Sequence, residues 1–381
     1  MKIANCCLSN FYIDGWNYQE NVLSKRNTDD GNEVRILAST ETYIDNARLG
    51  YVSPSSYFTE HGIPITRLPY KRIINHFVSS KLRAYVGLMR ELTEFSPDVI
   101  FFHGLAAWAL LTVARYKKKY PSVKLYTDSH EDFNNSARTF LSKNILYRLF
   151  YCTVLKKAYP QIDKIFYISL ETKDFINQLY GLPDDKLEFY PLGGIIFDED
   201  MRNNAKQKIR EELKLSPEDV LFVHSGKLDK LKRTEELLRA FSAVQSPSLK
   251  LIIIGSIPDD MKQILLPLIE ADNRVEFIGW KSSNELLEYL CACDLYLQPG
   301  SQSATMQNAI CCGAPVMLYP HKSHMSYLDG NGWFVKTVED MIRVFETIKG
   351  KKGILAQMSQ NSQKVACELI DYKVLAERLY K

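Results

Sequence analysis

The sequence predicts an α/β protein made of two consecutive doubly wound domains. The chain has 381 residues, of which 46% are hydrophobic and 24% charged, and this length exceeds what one hydrophobic core usually holds. Short apolar runs alternate with helix-length segments, which is the pattern of mainly parallel sheets. Residues 183–199 carry Pro, a Gly-Gly pair and acidic side chains, and they separate two such series.

The first series predicts a βα repeat. Its apolar runs are short and bounded by turn residues, as expected of buried parallel strands. Strands are predicted at 2–8, 34–37, 99–102, 124–126 and 164–168. Helices are predicted at 81–95 and 105–118, where the apolar residues have helical spacing.

The second series has the same alternation. Strands are predicted at 220–224, 249–254, 275–278, 295–297 and 316–318. Helices are predicted at 234–244, 259–271 and 284–293. In open parallel sheets, ligands bind beyond the carboxyl ends of the strands, so we expect a ligand crevice there.

The charge composition bears on whether the protein binds nucleic acid or a lipid surface. The 48 basic and 45 acidic residues leave a net charge of +3, too small to indicate nucleic-acid binding. Basic residues cluster at 70–72 and 115–119. These clusters are interpreted either as solvated helix ends or as a contact surface for anionic lipid headgroups.

The cysteines and the hydropathy pattern indicate an intracellular location. The eight cysteines include no CxxC pair and no zinc spacing, so we expect reduced thiols in the core and no metal site. No apolar window approaches the ~18 residues of a membrane span. We therefore expect a cytoplasmic protein, with a peripheral place at the inner face of the membrane if the basic residues contact lipid.

Residues 222–233 form the first candidate binding loop. A predicted strand ends in Ser225 and Gly226, and the cations Lys227 and Lys232 follow before the next helix. Glycine lets the backbone approach a ligand, and cations above a sheet favour a phosphate. A lysine-rich surface turn without a ligand would have a similar sequence.

The second candidate loop follows the strand at 295–297. Ser301 or Ser303 is expected to cap a helix that ends near Cys312, before Gly313. Free N–H groups at such a helix start attract an anion. Polar side chains in its first turns can bind sugar hydroxyls: Thr305, Gln307 and Asn308. A capped helix with a polar first turn and no ligand is the alternative.

Histidines end several predicted strands. His130 lies among Asp128, Glu131 and Asp132, which could orient its imidazole or keep it protonated, so it is a candidate functional residue. His103 is interpreted as a strand-end residue. His224 lies inside a predicted strand and is interpreted as structural. His321 and His324 follow the strand at 316–318, where contact with a substrate is possible but no other feature of the sequence supports it.

The order of these motifs resembles the GT-B glycosyltransferases of the family 4 type. In the second half the matching segments are Ser-Gly-Lys at 225–227, Lys232, 251–255, 275–280, 294–299 and 312–316. In the first half the matches are looser, at 14–15, 31–34, 97–100, 128–131 and 190–194.

The resemblance implies two Rossmann-like doubly wound domains facing a central crevice. Residues 1–195 would form the acceptor-side domain and residues 196–360 the donor-binding domain. A C-terminal helix at about 361–381 would pack back onto the first domain.

The resemblance also implies residue roles. Lys227 and Lys232 would hold the donor diphosphate, and His130 would lie near the transferred sugar; these three are the catalytic candidates. Gly279 and Trp280 fall where the nucleotide base is contacted. The full set of donor-binding candidates is Gly15, Gly226, Gly279, Trp280, Gly300, Ser301, Gln302, Ser303, Thr305 and Asn308.

This chain departs from the family pattern at three positions. Two glutamates seven residues apart are usual in the family, yet Asn308 stands where the second is expected and Gln302 or Ser303 near the first. Trp16 replaces the second glycine of the first loop. The departures bear on donor identity and stereochemistry more than on reaction class, because diphosphate departure depends mainly on preorganised positive charge.

These observations predict a glycosyltransferase. It would move a sugar from a nucleotide diphosphate donor to an acceptor hydroxyl on a glycan or lipid-linked glycan, without a metal or cofactor, and the resemblance implies retention. A nucleotide-sugar epimerase or phosphorylase on the same fold is an alternative, although an epimerase should offer carboxylates at the sugar. A non-catalytic sugar-nucleotide-binding protein is the other alternative, supported by the missing glutamates.

Overall fold

The computed structural model describes residues 1–44 and 48–381, which form two compact units. The first unit comprises Met1–Leu192 and Tyr372–Lys381, and the second comprises Gly193–Asp371. The observed division thus falls at 192/193, where the sequence places it at 195/196.

The first unit is built on one large sheet. Its strand order is β10-β9-β8-β7-β1-β2-β6-β5, and all neighbours are parallel except β5 and β6. A separate antiparallel hairpin joins β3 to β4. The strands are β1 (Lys2–Cys7), β2 (Glu33–Ser39), β3 (Glu41–Tyr43), β4 (Leu49–Tyr51), β5 (Ser55–Phe58), β6 (Pro64–Leu68), β7 (Val99–Phe102), β8 (Lys124–Ser129), β9 (Lys164–Tyr167) and β10 (Leu187–Phe189).

Helices connect these strands. They are α1 (Gln19–Asp29), α2 (His76–Leu82), α3 (Leu88–Phe95), α4 (Ala109–Lys119), α5 (Cys152–Ala158) and α6 (Leu170–Phe175). Two π-helical segments, Ser142–Tyr151 and Ile176–Tyr180, precede α5 and follow α6.

The central strands β1 and β7 are buried on both faces. Ile3 pairs with Val99 in parallel register, and their side chains enter one apolar layer with Phe101. Ala4 and Ile100, one position further, enter the layer on the opposite face. Alternation of side chains along a strand therefore gives this sheet a core on each face.

The predicted helix at 81–95 is wrong as a single element. Arg83 adopts a left-handed conformation with φ 53°, and Gly87, with φ 88°, precedes α3. The Arg83 guanidinium donates to the Ala106 carbonyl at 3.0 Å, which holds the chain in this break. Tertiary hydrogen bonding has overridden the helical spacing of the segment.

The second unit contains a wholly parallel sheet in the order β13-β12-β11-β14-β15-β16. Its strands are β11 (Val220–Lys227), β12 (Leu249–Ser256), β13 (Val275–Phe277), β14 (Leu295–Gln298), β15 (Val316–Leu318) and β16 (Gly332–Phe334). Its helices are α7 (Glu199–Glu212), α8 (Thr234–Ala243), α9 (Asp259–Glu270), α10 (Ser283–Ala292), α11 (Thr305–Cys311), α12 (Val338–Gly350) and α13 (Ile354–Val365), followed by a π-helical segment, Ala366–Ile370.

The second unit confirms the predicted strands and helices of the second series. Apolar side chains of β11, β12 and β14 pack with those of α8 and α12 in one buried cluster, for example Phe222, Leu251, Leu295, Phe241 and Phe345. Helices α7 and α12 and strand β16 were not predicted.

The chain returns to the first unit only in its last helix, α14 (Tyr372–Tyr380). The helix predicted to return spans residues 361–381, but residues 361–371 lie in the second unit. Leu375 and Leu379 of α14 are buried in the first unit's core. The Tyr190 hydroxyl donates to the Leu375 carbonyl at 2.8 Å, which fixes the position of the helix.

We expect Leu375→Ala to destabilise the first unit by about 2–5 kcal/mol, because a fully buried leucine is truncated. Chemical denaturation followed by fluorescence measures the change. The matched control is Glu377→Ala on the same helix, which removes only a partly exposed ion pair with Lys381 and should cost less than about 1 kcal/mol. Equal losses for the two variants would contradict the placement of α14.

Candidate functional site

Strand β11 ends in a tight cationic turn. The Asp229 carboxylate accepts hydrogen bonds from the Leu231 and Lys232 amides at 3.0 and 3.3 Å, which closes a 3-10 turn over Lys230–Lys232. The Lys232 side chain then folds back across Gly226, where an added Cβ would lie 3.1 Å from Lys232 Cε. Gly226 has φ +133°, so glycine is required there both for its conformation and for the space.

The loop after β14 packs directly on this turn. An added Cβ on Gly300 would lie 2.3 Å from the Leu231 carbonyl oxygen, so only glycine permits this approach. The Ser301 amide donates to the same Leu231 carbonyl at 2.8 Å. Lys232 Nζ donates to the Ser301 carbonyl at 3.4 Å. The two loops that the sequence singles out are therefore one continuous surface.

The two cations of this surface differ in environment. Lys227 is exposed, whereas the Lys232 side chain is largely buried. Burial lowers the pKa of Lys232, and the nearby Asp229 carboxylate offsets only part of that effect. Among the described residues, neither lysine lies within 4.0 Å of a carboxylate. A desolvated ammonium without a carboxylate partner favours an anionic ligand.

A third loop, after β15, completes the surface. From the sequence, His321 and His324 of this loop were positions where substrate contact was possible but unsupported, and the packing of this loop on the second loop was not predicted. His321 Nε2 donates to the Gly300 carbonyl at 3.1 Å, and the Gln302 side-chain amide donates to Ser323 Oγ. Arg233 Nη1 donates to the Pro299 carbonyl at 3.3 Å. The sequence signal for this loop is its position directly after a parallel strand, because residues that follow such strands lie at the ligand-binding edge of the sheet.

The expected capping of α11 is wrong. The helix begins at Thr305, after Ala304, and no side chain caps it. Ser303 Oγ instead accepts from the Thr305 amide at 3.2 Å and contacts Thr305 Oγ1 at 2.9 Å. This local side-chain turn competes with the helix and delays its start. Ser301 uses its backbone in the turn contact described above.

The polar residues of α11 point in different directions. Gln307 is buried and its amide donates to the Tyr327 hydroxyl at 2.6 Å, so it is committed to the interior. Asn308 is half-buried, and its side-chain amide has no hydrogen-bond partner in the described part of the chain. The Asn308 amide therefore has hydrogen-bonding groups available to a ligand.

Gly279 and Trp280 lie at the same edge of the sheet. The Gly279 carbonyl accepts from the Gly255 amide at 2.8 Å, and Gly255 pairs in register with Gly226. Trp280 is 73% exposed. An indole this exposed beside the strand ends can stack on a planar ligand group.

His224 has a structural position, as the sequence suggests. Its Nδ1 donates to the Leu297 carbonyl at 2.8 Å, and its Nε2 accepts from the Thr234 hydroxyl at 2.9 Å. Burial lowers its pKa to about 4. The neutral ring thus connects β11 to β14 and α8.

In the first unit, Asp128 lies between two histidines. Its Oδ2 accepts from His103 Nδ1 at 2.7 Å and lies 3.4 Å from His130 Nε2, while its Oδ1 accepts from the Gly104 amide at 2.7 Å. His103 directly follows Phe102 of β7, and Phe102 pairs with Thr127 of β8, so the sheet register places His103 beside Asp128.

This arrangement favours a charged His130. Burial opposes the charge, but the Asp128 carboxylate outweighs it and raises the pKa of His130 to about 9. Burial likewise opposes ionisation of Asp128, yet the two imidazoles hold the pKa of its carboxyl well below the usual range. His130 can therefore donate a hydrogen bond from a half-exposed cationic ring.

The neighbouring Glu131 has a different environment. Its carboxylate accepts from the hydroxyls of Tyr147 and Tyr180, each at 2.8 Å. Burial raises the pKa of Glu131 despite these hydrogen bonds. Glu131 therefore anchors the His130 loop to the helices behind it.

Gly15 lies in a turn with φ +72° after β1. Beside it, Asp14 accepts from the buried Arg67 guanidinium at 2.8 Å and from the Tyr57 hydroxyl at 2.8 Å. Trp16 stacks on Tyr18 with ring centroids 5.3 Å apart. Trp16 also lies edge-on to the Tyr43 ring at 5.4 Å, so it is part of an aromatic loop surface.

Two family models match this chain, one over most of each unit. The model described as Glycosyltransferase Family 4 matches residues 23–193, and the model described as Glycosyl transferases group 1 matches residues 205–365. The chain is a GT-B glycosyltransferase of the family 4 type. No curated protein matches its sequence.

Solved structures share the fold of this glycosyltransferase along its whole length. Anabaena HepE in complex with UDP is 15% identical with a TM-score of 0.64, covering 99% of this chain and 98% of that one. A glycosyltransferase from Rickettsia africae is 11% identical with a TM-score of 0.66, covering 99% and 96%. Sucrose-phosphate synthase from Thermosynechococcus elongatus is 14% identical with a TM-score of 0.62, covering 99% and 97%. At these identities the likeness establishes the fold alone.

We expect His130 in the glycosyltransferase to titrate at about 9, and nearer its ordinary value of 6.5 in Asp128→Asn, because the carboxylate causes the shift. NMR of the imidazole carbons measures both. Since the folded-state pKa is raised, the stability contributed by His130 is complete below pH 6.5 and is lost as the pH rises through 9. Unperturbed titration of His130 in the wild type would contradict the geometry.

Proposed function

We propose that this glycosyltransferase moves a sugar from a nucleotide diphosphate donor to an acceptor hydroxyl, with the second unit holding the donor. The observation that carries the proposal is the buried Lys232 ammonium, held over Gly226 and against Ser301 without a carboxylate partner in the described chain. Anabaena HepE, which shares the fold, is solved with UDP and with UDP-glucose. A nucleoside diphosphate supplies the anion that the Lys232 surface favours.

The chemistry assigned to this surface is stabilisation of the leaving diphosphate. As the glycosidic bond to the sugar breaks, negative charge grows on the diphosphate oxygens, and Lys227 and Lys232 neutralise it. We assign this work to the two lysines, so the reaction proceeds without a metal. Helix α11 has only seven residues and contributes side chains rather than its terminus.

The remaining donor contacts are those that the family resemblance implies. Trp280 stacks on the nucleotide base, and Asn308 binds ribose hydroxyls through its amide. Gln302 and Ser303 lie on the loop that would meet the sugar. In the first unit, His130 donates a hydrogen bond to the transferred sugar, and the stereochemistry at the sugar carbon is retained.

The acceptor is a glycan or a lipid-linked glycan, and the protein works in the cytoplasm, at the inner face of the membrane. The basic residues at 70–72 and 115–119 are the sequence feature that suggests this location. Within the second group, Lys117 donates to the Pro121 carbonyl at 3.0 Å and pairs with Asp163 at 3.2 Å, so it is engaged inside the unit. Among the described residues, no helix is long and apolar enough to cross a bilayer.

A non-catalytic sugar-nucleotide-binding protein is the second candidate. It is favoured by Asn308 and Gln302, which stand where the family carries acids. Transfer or slow hydrolysis of the bound donor separates an enzyme from a binding protein, because only an enzyme releases free sugar or a glycosylated product. An epimerase is disfavoured because the surface around Lys232 offers amides, hydroxyls and backbone groups instead of the carboxylates such chemistry needs.

The experiment that tests the donor assignment is a thermal-shift panel of UDP, GDP, CMP and ADP. A ligand at about 100 times its dissociation constant stabilises a protein by roughly 2.7 kcal/mol, so the preferred nucleotide should raise the melting temperature. Incubation of the matching nucleotide sugars with and without added glycan acceptors then tests transfer. Failure of all four nucleotides to stabilise the protein would contradict the proposal.

We expect Lys232→Ala and Lys227→Ala each to weaken nucleoside diphosphate binding by about 1.5–3 kcal/mol, since each removes a charge-assisted contact. Calorimetric titration measures this, and the free nucleoside should bind almost as before. The matched control is Lys250→Ala, a partly buried lysine of β12 outside the site. Equal losses for nucleoside and diphosphate would reject the phosphate assignment.

We expect Asn308→Ala to weaken donor binding by roughly 1–2 kcal/mol, because the ribose loses hydrogen bonds. Asn308→Glu should be tolerated or should improve binding, since a carboxylate accepts two hydroxyl hydrogen bonds. Titration with the preferred nucleotide and its 2′-deoxy analogue separates ribose contact from other effects. The wild type should discriminate against the deoxy compound and Asn308→Ala should not; unchanged discrimination would move the ribose site away from α11.

A further inference from the structure

The helix before α5 has a second apolar face that points outward. Leu141, Ile145 and Leu149 recur every four residues and are 66%, 53% and 67% exposed; we call them the outer stripe. The opposite side of the same helix buries Tyr147 and Tyr151. One apolar face explains how the helix packs in the first unit. The outer stripe has no such role in the fold.

A second apolar wall faces the outer stripe across a groove. Residues 71–77 are all exposed and include Ile74 and Phe77, which are 69% and 70% exposed. Phe77 and the outer stripe line a cavity of about 1240 Å³, whose floor includes Trp108 and Phe150. Contiguous exposed apolar surface of this extent marks an interaction site.

Both walls carry positive charge without negative charge. Residues 61–90 and 133–162 contain no aspartate or glutamate. The cations on or beside the groove are Lys71, Arg72, Lys81, Arg138, Lys143, Arg148, Lys156 and Lys157. None of them forms an ion pair with a carboxylate of the described residues. Lys81 lies 5.8 Å from the Phe77 ring centroid, so charge and apolar surface are interleaved.

We infer that this face docks onto a lipid bilayer whose surface carries anionic headgroups. Leucine and phenylalanine side chains enter the boundary between headgroups and acyl chains, while lysine and arginine extend to the phosphates. The inference deepens the proposed function, on which it rests for the acceptor: it names this groove face of the first unit as the surface that meets the membrane, and a lipid-linked glycan as the acceptor.

The face is joined to the candidate catalytic residue of the same unit. Tyr147, on the buried side of the helix, donates to Glu131 at 2.8 Å, and the Asn135 amide donates to the His130 carbonyl at 2.9 Å. Asn135 and Tyr147 also line the groove. A bilayer on this face would therefore deliver the headgroup of a lipid-linked acceptor toward the His130 loop.

Other occupants fit the observations less well. Pockets for small ligands usually measure about 300–1,000 Å³, whereas this groove has a volume of about 1240 Å³. A second copy of the chain in a two-fold dimer would place the same unpaired cations against each other, which is repulsive. An anionic bilayer complements both the charge and the apolar stripe.

The test is sedimentation of the full chain with vesicles of phosphatidylcholine containing about 30 mol% phosphatidylglycerol, and with pure phosphatidylcholine vesicles. We expect binding to the anionic vesicles that weakens as salt is added. The double variant Leu141→Ser, Leu149→Ser should reduce the partition coefficient at least about tenfold, because two exposed side chains lose their insertion.

Charge variants test the second half of the inference. The triple variant Arg138→Gln, Lys143→Gln, Arg148→Gln should reduce partitioning by roughly fivefold per cation. The matched charge control is the triple variant Arg239→Gln, Lys262→Gln, Arg343→Gln, which changes exposed cations of the second unit. The matched apolar control is the double variant Phe58→Ser, Met201→Ser, which changes two other exposed apolar side chains. The control variants should bind vesicles as the wild type does.

The inference is overturned if the wild type ignores anionic vesicles, if the outer-stripe variant binds as well as its control, or if that variant instead abolishes a concentration-dependent dimer. Nucleotide-induced thermal shifts on the same proteins keep the two proposals separate. Loss of vesicle binding with an unchanged nucleotide shift supports membrane docking. Vesicle binding by a wild type that no nucleotide stabilises would leave docking standing and reject the donor assignment.

Discussion

The candidate donor site depends on one contact, the packing of the loop after β14 onto the turn after β11. Gly300 allows the Leu231 carbonyl within a distance that a Cβ would block, and the Ser301 amide binds that carbonyl. The same contact encloses the Lys232 side chain and removes its ammonium from water without supplying a carboxylate. A charge held this way costs free energy in the empty protein, and an anionic ligand recovers it. The favourable interaction of Lys232 with a ligand is therefore made with the diphosphate, and the diphosphate is the group on which negative charge develops in the proposed reaction.

The first unit also buries a charged group, but there the partners of the charge belong to the protein. Asp128 is fully buried, but two imidazoles and the Gly104 amide surround it. The carboxylate is therefore stable as an anion, and its charge keeps His130 cationic. Lys232 has no carboxylate partner in the described chain, whereas the partners of Asp128 are His103, His130 and the Gly104 amide. This difference is the reason that we propose Lys232 as the group that binds the donor and Asp128 as a group that acts through His130.

Much of the fold was predictable, because buried parallel strands leave a local signature. Strands β11, β12, β14 and β15 are apolar runs that end in polar or glycine-containing turns, and the structure confirms each one. The failures involve contacts that sequence spacing does not record. The Arg83 break depends on a carbonyl of a distant loop, and the late start of α11 depends on Ser303 bonding locally instead of capping.

The candidate site was predictable in its loops but not in its side-chain directions. Lys227, Lys232 and Gly300 were found because cations and glycines directly after parallel strands are typical of loops that bind anions. Gln307 and Asn308 are adjacent in sequence, yet one is committed to Tyr327 and the other is free of partners in the described chain. The exposure of the outer stripe could not be predicted for a related reason. A helix that is apolar on two sides has the sequence pattern of a fully buried helix, and only the structure shows which side is covered.

The measurement that tests the central claim most directly is the pKa of Lys232 by carbon NMR of its Cε, with and without the preferred nucleoside diphosphate. Burial lowers this pKa in the free protein. If the Lys232 ammonium awaits the diphosphate, the pKa should lie below that of an ordinary lysine in the free protein and rise when the diphosphate binds, while the nucleoside alone leaves it unchanged. An ordinary pKa in the free protein, or no rise on binding the diphosphate, would contradict the account.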